Sequence, residues 1–150
     1  METKDGRTGY VNTDGEFAFL VPIINYEEDR LYATDFKEGY AIIQTIADPP
    51  TWRVINRNGD FVSEGHVLSW AETFSDGLSR ITIDYEKYGF MNTKGEIVIE
   101  PIFDEVYSFY QGYAKIKYQG RDGIINTEGK IFWSDEIMEA YNKKIEPGPE

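Results

Sequence analysis

Apolar and polar positions alternate with a period of two in three stretches of this chain. Each stretch follows a phenylalanine and a turn glycine: Phe36-Lys37-Glu38-Gly39, Phe74-Ser75-Asp76-Gly77 and Phe109-Tyr110-Gln111-Gly112. Counted from each phenylalanine, offsets five, seven and nine give Ala41/Ile43/Thr45, Ser79/Ile81/Ile83 and Ala114/Ile116/Tyr118. The positions between them are Tyr40/Ile42/Gln44, Leu78/Arg80/Thr82 and Tyr113/Lys115/Lys117. A period of two is that of a β-strand, whose side chains point alternately to its two faces. The first set is expected to face a core. Its small residue at offset five calls for close packing there, against an aromatic ring of a neighbouring strand.

A second phrase falls between these strands: glycine, two apolar residues, Asn, two variable residues, glycine. It reads Gly9-Tyr10-Val11-Asn12-Thr13-Asp14-Gly15, Gly89-Phe90-Met91-Asn92-Thr93-Lys94-Gly95 and Gly123-Ile124-Ile125-Asn126-Thr127-Glu128-Gly129. In Arg53-Val54-Ile55-Asn56-Arg57-Asn58-Gly59 an arginine stands first. Asn suits the first position of a type I turn, and the closing Gly supplies the left-handed residue of a bulged hairpin. The third copy therefore predicts a strand over 87–92, a turn, and a second strand at Glu96-Ile97-Val98-Ile99. Pro101 ends that strand or places it at a sheet edge, because it has no N–H to donate. A third strand is expected over 103–109 and a fourth over 113–118.

The four asparagines are 44, 36 and 34 residues apart, a spacing that marks a repeat architecture. The expected fold is all-β: three full and one partial antiparallel β repeats of about 35 residues in an open twisted array, with a propeller-like closure as the alternative. The repeats fall near 7–52, 53–88, 89–122 and 123–133 of a β-repeat domain spanning 1–133. From Ser134 the pattern changes. Ser134 suits an N-cap, Asp135 and Glu136 the first turn, and Lys143 and Lys144 the last. Ile137, Met138 and Tyr141 share a face, so a short helix capping the array is expected, followed by a frayed tail within 134–150.

Repeats differ in length where loops absorb insertions. From marker Asn to marker Phe the first repeat takes 24 residues, against 18 and 17 in the next two. The excess holds Tyr26, Glu27, Glu28 and Asp29. From marker Phe to the following Asn the counts are 20, 18 and 17, with the first excess around Asp48. These five residues are candidates for partner contact, as are Tyr110 and Tyr113, which flank a turn and carry rings suited to protein or sugar surfaces.

The phrases running from Lys87 to Val106 and from Phe109 to Ile116 resemble the WG-containing (KWG) repeats of bacterial proteins, and the resemblance covers roughly residues 7 to 133. The naming dipeptide has diverged, its positions holding Thr8-Gly9, Trp52-Arg53, Tyr88-Gly89 and Asp122-Gly123. The resemblance implies β-rich repeats serving as binding or scaffold modules. It carries no shared catalytic residues.

Composition narrows the function. The chain is 41% hydrophobic and 15% aromatic, too apolar for a disordered chain. Its net charge of −12 argues against nucleic acid and anionic membranes, both of which attract Lys and Arg. A basic protein partner fits that charge. There is no cysteine, which excludes disulfides and thiolate chemistry. The first six residues have no apolar stretch, so a cytoplasmic location is expected. His66, the one histidine, has no nucleophile motif beside it. The carboxylate pairs Asp84/Glu86 and Asp104/Glu105 are what chance gives among 27 acids. Neither a cofactor nor a metal is expected. The expected function is a non-catalytic module binding another protein, in its sharper form an acidic inhibitor or immunity-type protein. A carbohydrate or cell-surface binding module is the alternative.

Overall fold

The computed structural model describes residues 9–11, 14, 17–20, 33–45 and 49–145. They form antiparallel sheets in chain order. The first is a hairpin of β1 (Gly9–Val11) and β2 (Phe17–Leu20). Next come β3 (Tyr40–Thr45) and β4 (Thr51–Asn56), paired along their full lengths. Ala33 bridges to Ile43 on one side of this pair. On the other side Phe61 and His66 bridge to Ile55 and Trp52.

The two remaining sheets are four-stranded. One has the order β5 (Trp70–Ala71), β6 (Leu78–Thr82), β7 (Tyr88–Asn92), β8 (Ile97–Phe103). The other has β9 (Glu105–Val106), β10 (Tyr113–Tyr118), β11 (Arg121–Asn126) and β12 (Ile131–Trp133). The fold is all-β with one helix, and no sheet closes into a barrel among the described residues. This is the open array that the repeats predict.

The Asn-x-x-Gly phrase is a hairpin turn at each fully described copy. Asn92 Oδ1 accepts from the amides of Lys94 (3.0 Å) and Glu96 (2.9 Å), and Gly95 closes the turn at φ 77°. Asn56 and Asn126 repeat the pattern on Asn58 and Asp60, and on Glu128 and Lys130. A longer or apolar side chain lacks that acceptor at that reach. The Phe-x-x-Gly phrase is a tighter, two-residue turn whose central residues both have positive φ, such as Asp76 (50°) and Gly77 (75°).

The hydrogen-bonded sheets run out of phase with the Asn phrase. At Asn92 and Asn126 the turn joins the last two strands of its sheet, so each four-stranded sheet begins before the marker Phe and ends after the turn. The strand expected over 103–109 is correspondingly short. Phe103 still belongs to edge strand β8, which carries Pro101, and only Glu105–Val106 pairs in the next sheet. Asp104 is where the chain crosses between the sheets.

Cores lie between successive sheets. Ala41, Ile43 and Ile55 pack with Tyr10, Phe36 and Phe61. Ile42, Trp52 and Val54 pack with Leu68, Ala71, Phe74, Ile81 and Met91. Leu78, Phe90, Ile99 and Phe103 pack with Val106, Phe109, Ala114, Ile116 and Ile125. The offset-five residues Ala41 and Ala114 are buried in clusters that hold aromatic rings, Phe36 with the first and Phe90 and Phe109 with the second, whereas Ser79 donates to the Glu72 carbonyl at 2.6 Å. Among the alternate positions, expected outside, those that the next sheet covers are also buried, while Ile83 of the first set, just past the end of β6, is 48% exposed instead of facing the core. Ile42 and Leu78 are both buried, whereas Tyr113 in the last sheet is 48% exposed.

Helix α1 (Ser134–Ile145) follows β12 directly and lies against β11 and β12. Arg121 fastens its start: the guanidinium stacks 4.2 Å from the Trp133 ring and donates to Asp135 at 2.9 Å. The apolar side chains Ile137, Met138 and Tyr141 stay exposed. No described helix is long and apolar enough to cross a membrane.

Candidate functional site

Between β6 and β7 the chain takes five residues, 83–87, where the equivalent connection between β10 and β11 is the two-residue turn Gln119-Gly120. The longer loop is wound on its own polar groups. Thr82, fully buried, donates from Oγ1 to the Lys87 carbonyl (2.8 Å) and accepts from the Tyr85 amide (2.9 Å). Asp84 Oδ1 accepts from the amides of Glu86 (2.8 Å) and Lys87 (2.9 Å). These bonds hold Tyr85 at φ 61°. Among the described residues four other non-glycine residues have positive φ, and each is followed by Gly in a two-residue turn. Tyr85 has no such turn to explain it, and its backbone is strained by roughly 1–3 kcal/mol. Its hydroxyl donates to the Ser69 carbonyl at 2.8 Å, and its ring is 63% exposed.

Tyr85 stands over a groove of about 610 Å³ where the two four-stranded sheets meet. Trp70, Tyr88 and Tyr107 supply three more rings. Arg80, from the middle of β6, forms the floor. Its Nε and Nη2 grip the two oxygens of Glu72 at 2.5 and 2.6 Å, and Nη1 donates to the Val106 carbonyl at 3.0 Å. The guanidinium also lies 5.5 Å from the Trp70 ring centre. Ser108 donates to Glu72 at 2.9 Å, so the pair ties one sheet to the next.

The charges in the floor are settled internally. Burial pushes the Glu72 carboxyl up, but the hydrogen bonds from Arg80 and Ser108 and the charge of Arg80 outweigh it, and its pKa lies below the ordinary value. The hydrogen bond to Glu72 holds the Arg80 guanidinium above its own. Lys87 pairs with Asp104, which also accepts from the Gln119 amide at 2.7 Å. The bond from Lys87 is the main reason the Asp104 carboxyl is lowered. Glu86 and Glu105, both exposed, line the groove and make no ion pair among the described residues.

The residues singled out in the sequence fall elsewhere. Tyr26, Glu27, Glu28, Asp29 and Asp48 lie outside the described residues. Tyr110 and Tyr113 flank the turn Gln111-Gly112 and are 73% and 48% exposed. The Tyr113 ring meets Phe132 edge-on, with centres 6.3 Å apart. Neither tyrosine lines the groove. The groove instead gathers Glu86 from one carboxylate pair and Asp104 and Glu105 from the other, together with Trp70, Arg80, Tyr85, Tyr88 and Tyr107. One residue of extra spacing, 18 against 17 from marker Phe to the next Asn, was its trace in the sequence. His66 joins two sheets, with Nε2 2.5 Å from the Gly95 carbonyl. No group of three His, Asp or Glu is placed to hold a metal ion among the described residues.

Residues 52–86 and 88–121 each match the family model for the WG-containing repeat. The chain carries two WG-containing repeats. Comparison with curated proteins and with solved structures gave no match. The geometry explains the glycine of the WG dipeptide. A Cβ on Gly89 would sit 2.3 Å from the Ile99 carbonyl oxygen and 2.7 Å from the nitrogen of Pro101, so the neighbouring strand can approach only a glycine. Where Arg53 replaces that glycine, residues 61–66 still bond to β4: Val62 donates to the Val54 carbonyl at 2.9 Å and Arg53 Nε to the Ser63 carbonyl at 3.0 Å, with the guanidinium 3.9 Å from the Phe61 ring centre. The aromatic position is Trp52 in one WG repeat, where the indole donates to the Leu68 carbonyl at 2.8 Å. In the next it is Tyr88, half in the core and half in the groove.

Proposed function

We propose that this WG-repeat chain is a non-catalytic module that binds another protein, and that it does so at the groove between its two four-stranded sheets. One observation carries the reading: a strained tyrosine, Tyr85, is held by loop hydrogen bonds over a preformed cleft with three further rings. Strain of this kind persists where the surrounding structure fixes it, and it gathers at binding sites. Rigid aromatic side chains are the residue type that anchors interfaces. That Arg80 and Glu72 are bound to each other, rather than free for proton transfer, supports the non-catalytic reading.

The net charge of −12 favours a basic partner, as an acidic inhibitor or immunity-type protein would have. The test is capture of partners from a lysate of the source cells by the intact chain and by Trp70→Ala and Tyr85→Ala. Both variants are expected to lose partners the parent retains while keeping its circular dichroism. Association with the captured protein should slow by about tenfold or more between low and physiological salt. Capture unchanged by both substitutions overturns the groove as the site, and a rate indifferent to salt removes the electrostatic argument.

A carbohydrate ligand is the second reading, favoured by the solvent-facing rings of Tyr85 and Tyr107, 63% and 55% exposed. Glycan-array binding that disappears in Tyr85→Ala would replace the protein-binding reading with this one.

A further inference from the structure

The charges lining the groove specify what enters it. Among the described residues Arg80 is the one cation in the lining, and both oxygens of Glu72 are bound to it. Asp104 is neutralised by Lys87. Glu86 and Glu105 make no ion pair among the described residues, although the charge of Glu86 acts on Lys87 and Glu105 stands opposite Lys117 on β10, and both border a space lined by Trp70, Tyr85, Tyr88 and Tyr107. An anionic group would meet two carboxylates and a guanidinium already saturated by Glu72. A neutral group would displace water from these exposed carboxylates without bringing a counter-charge. An alkylammonium satisfies the ring faces, through their negative quadrupoles, and the carboxylates together. Arg80 itself lies over the Trp70 ring, so the site already places one cation against an aromatic face.

Resting on the protein-binding reading, we propose that the groove is a lysine pocket: it takes the ammonium side chain of an extended, lysine-bearing segment of the partner. The volume of about 610 Å³ holds a lysine side chain with flanking backbone. Because the groove lies across the junction of two sheets, the segment runs along that junction. Acetylation of the lysine would abolish the charge and with it the fit.

The test uses the full chain labelled with 15N and three small probes: N-acetyl-lysine methylamide, its Nε-acetylated form, and N-acetyl-glutamate methylamide. The Trp70 indole N–H resonance is followed, assigned by its loss in Trp70→Phe. The lysine probe is expected to shift it saturably in the millimolar range, with the acetylated probe about fivefold weaker or worse. The glutamate probe should leave it unmoved. Replacing Glu86→Gln and Glu105→Gln together, two exposed changes that the fold tolerates, should bring the lysine probe down to the level of the acetylated one.

Equal binding of lysine and acetyl-lysine probes, or indifference to the two Gln substitutions, overturns the lysine pocket while leaving partner capture to stand on its own result. Tighter binding of the glutamate probe overturns it in favour of an anion site at Arg80. Failure of every probe, combined with partner capture unaffected by Trp70→Ala, overturns both readings.

Discussion

At the scale of single residues, the repeat is governed by how closely two backbones approach. Gly89 faces the backbone of Ile99 to Pro101, and a methyl group there would lie 2.3 Å from a carbonyl oxygen. No flexible side chain is available to move aside, so β8 itself has to shift. Gly89→Ala is therefore expected to destabilise the chain by about 2–3 kcal/mol, as overpacking of a tight site does. Gly123→Ala, whose nearest neighbour would be the Phe132 carbonyl oxygen at 3.0 Å, should cost less. Urea unfolding of the two variants checks the order. A Gly89→Ala midpoint equal to or above that of Gly123→Ala would contradict this account of the WG glycine.

At the scale of elements, the loop over 83–87 trades stability for shape. Tyr85→Gly relieves the strain of a positive φ but adds the backbone entropy a glycine loses on folding, a net gain of about 1 kcal/mol. It also removes a hydroxyl bond to Ser69, worth about 1 kcal/mol. The urea midpoint should therefore barely move while partner capture is lost. A large fall in stability would mean that the ring supports the fold rather than a ligand. Much at this scale was legible beforehand. The Asn and Phe phrases set the turns because their geometry is local: an acceptor two to four residues back and a glycine at positive φ. The helix after Trp133 was legible for the same reason, through its cap and end charges. The groove was not, because it needs β6 from one sheet and Asp104 to Tyr107 from the next. Glu86 and Glu105 stood in the sequence as two unremarkable pairs, 19 residues apart, until the crossing at Asp104 brought them to one cleft.

At the scale of the molecule, stability runs from sheet to sheet. Each sheet covers its predecessor, as the three hydrophobic clusters show, and the turn tips are also laced together. Glu38 accepts from the Gly77 amide at 2.8 Å, and Asp76 from the Gly112 amide at 2.7 Å. Ser75 donates to the Phe109 carbonyl beside the second of these links. The last sheet has a covered face, with Ala114, Ile116 and Ile125, and an outer face where Tyr113 and Lys115 are exposed. The preceding sheet is buried on both faces at Ile81, Met91 and Phe90. A stack joined only by nearest-neighbour contacts opens from its less covered end. Native-state hydrogen exchange should thus find the amides of β10 to β12 less protected than those of β6 and β7, by about tenfold or more. Asp76→Ala, which cuts one tip link, should widen that gap by speeding exchange in the last sheet while leaving β3 and β4 unchanged. Uniform protection across all the sheets, unmoved by Asp76→Ala, would instead mean that the array unfolds as one unit. The groove lies on the very junction that this link supports. Its two walls therefore keep their spacing only as long as the last sheet stays docked, and weakening the tip link should weaken binding without touching a groove residue.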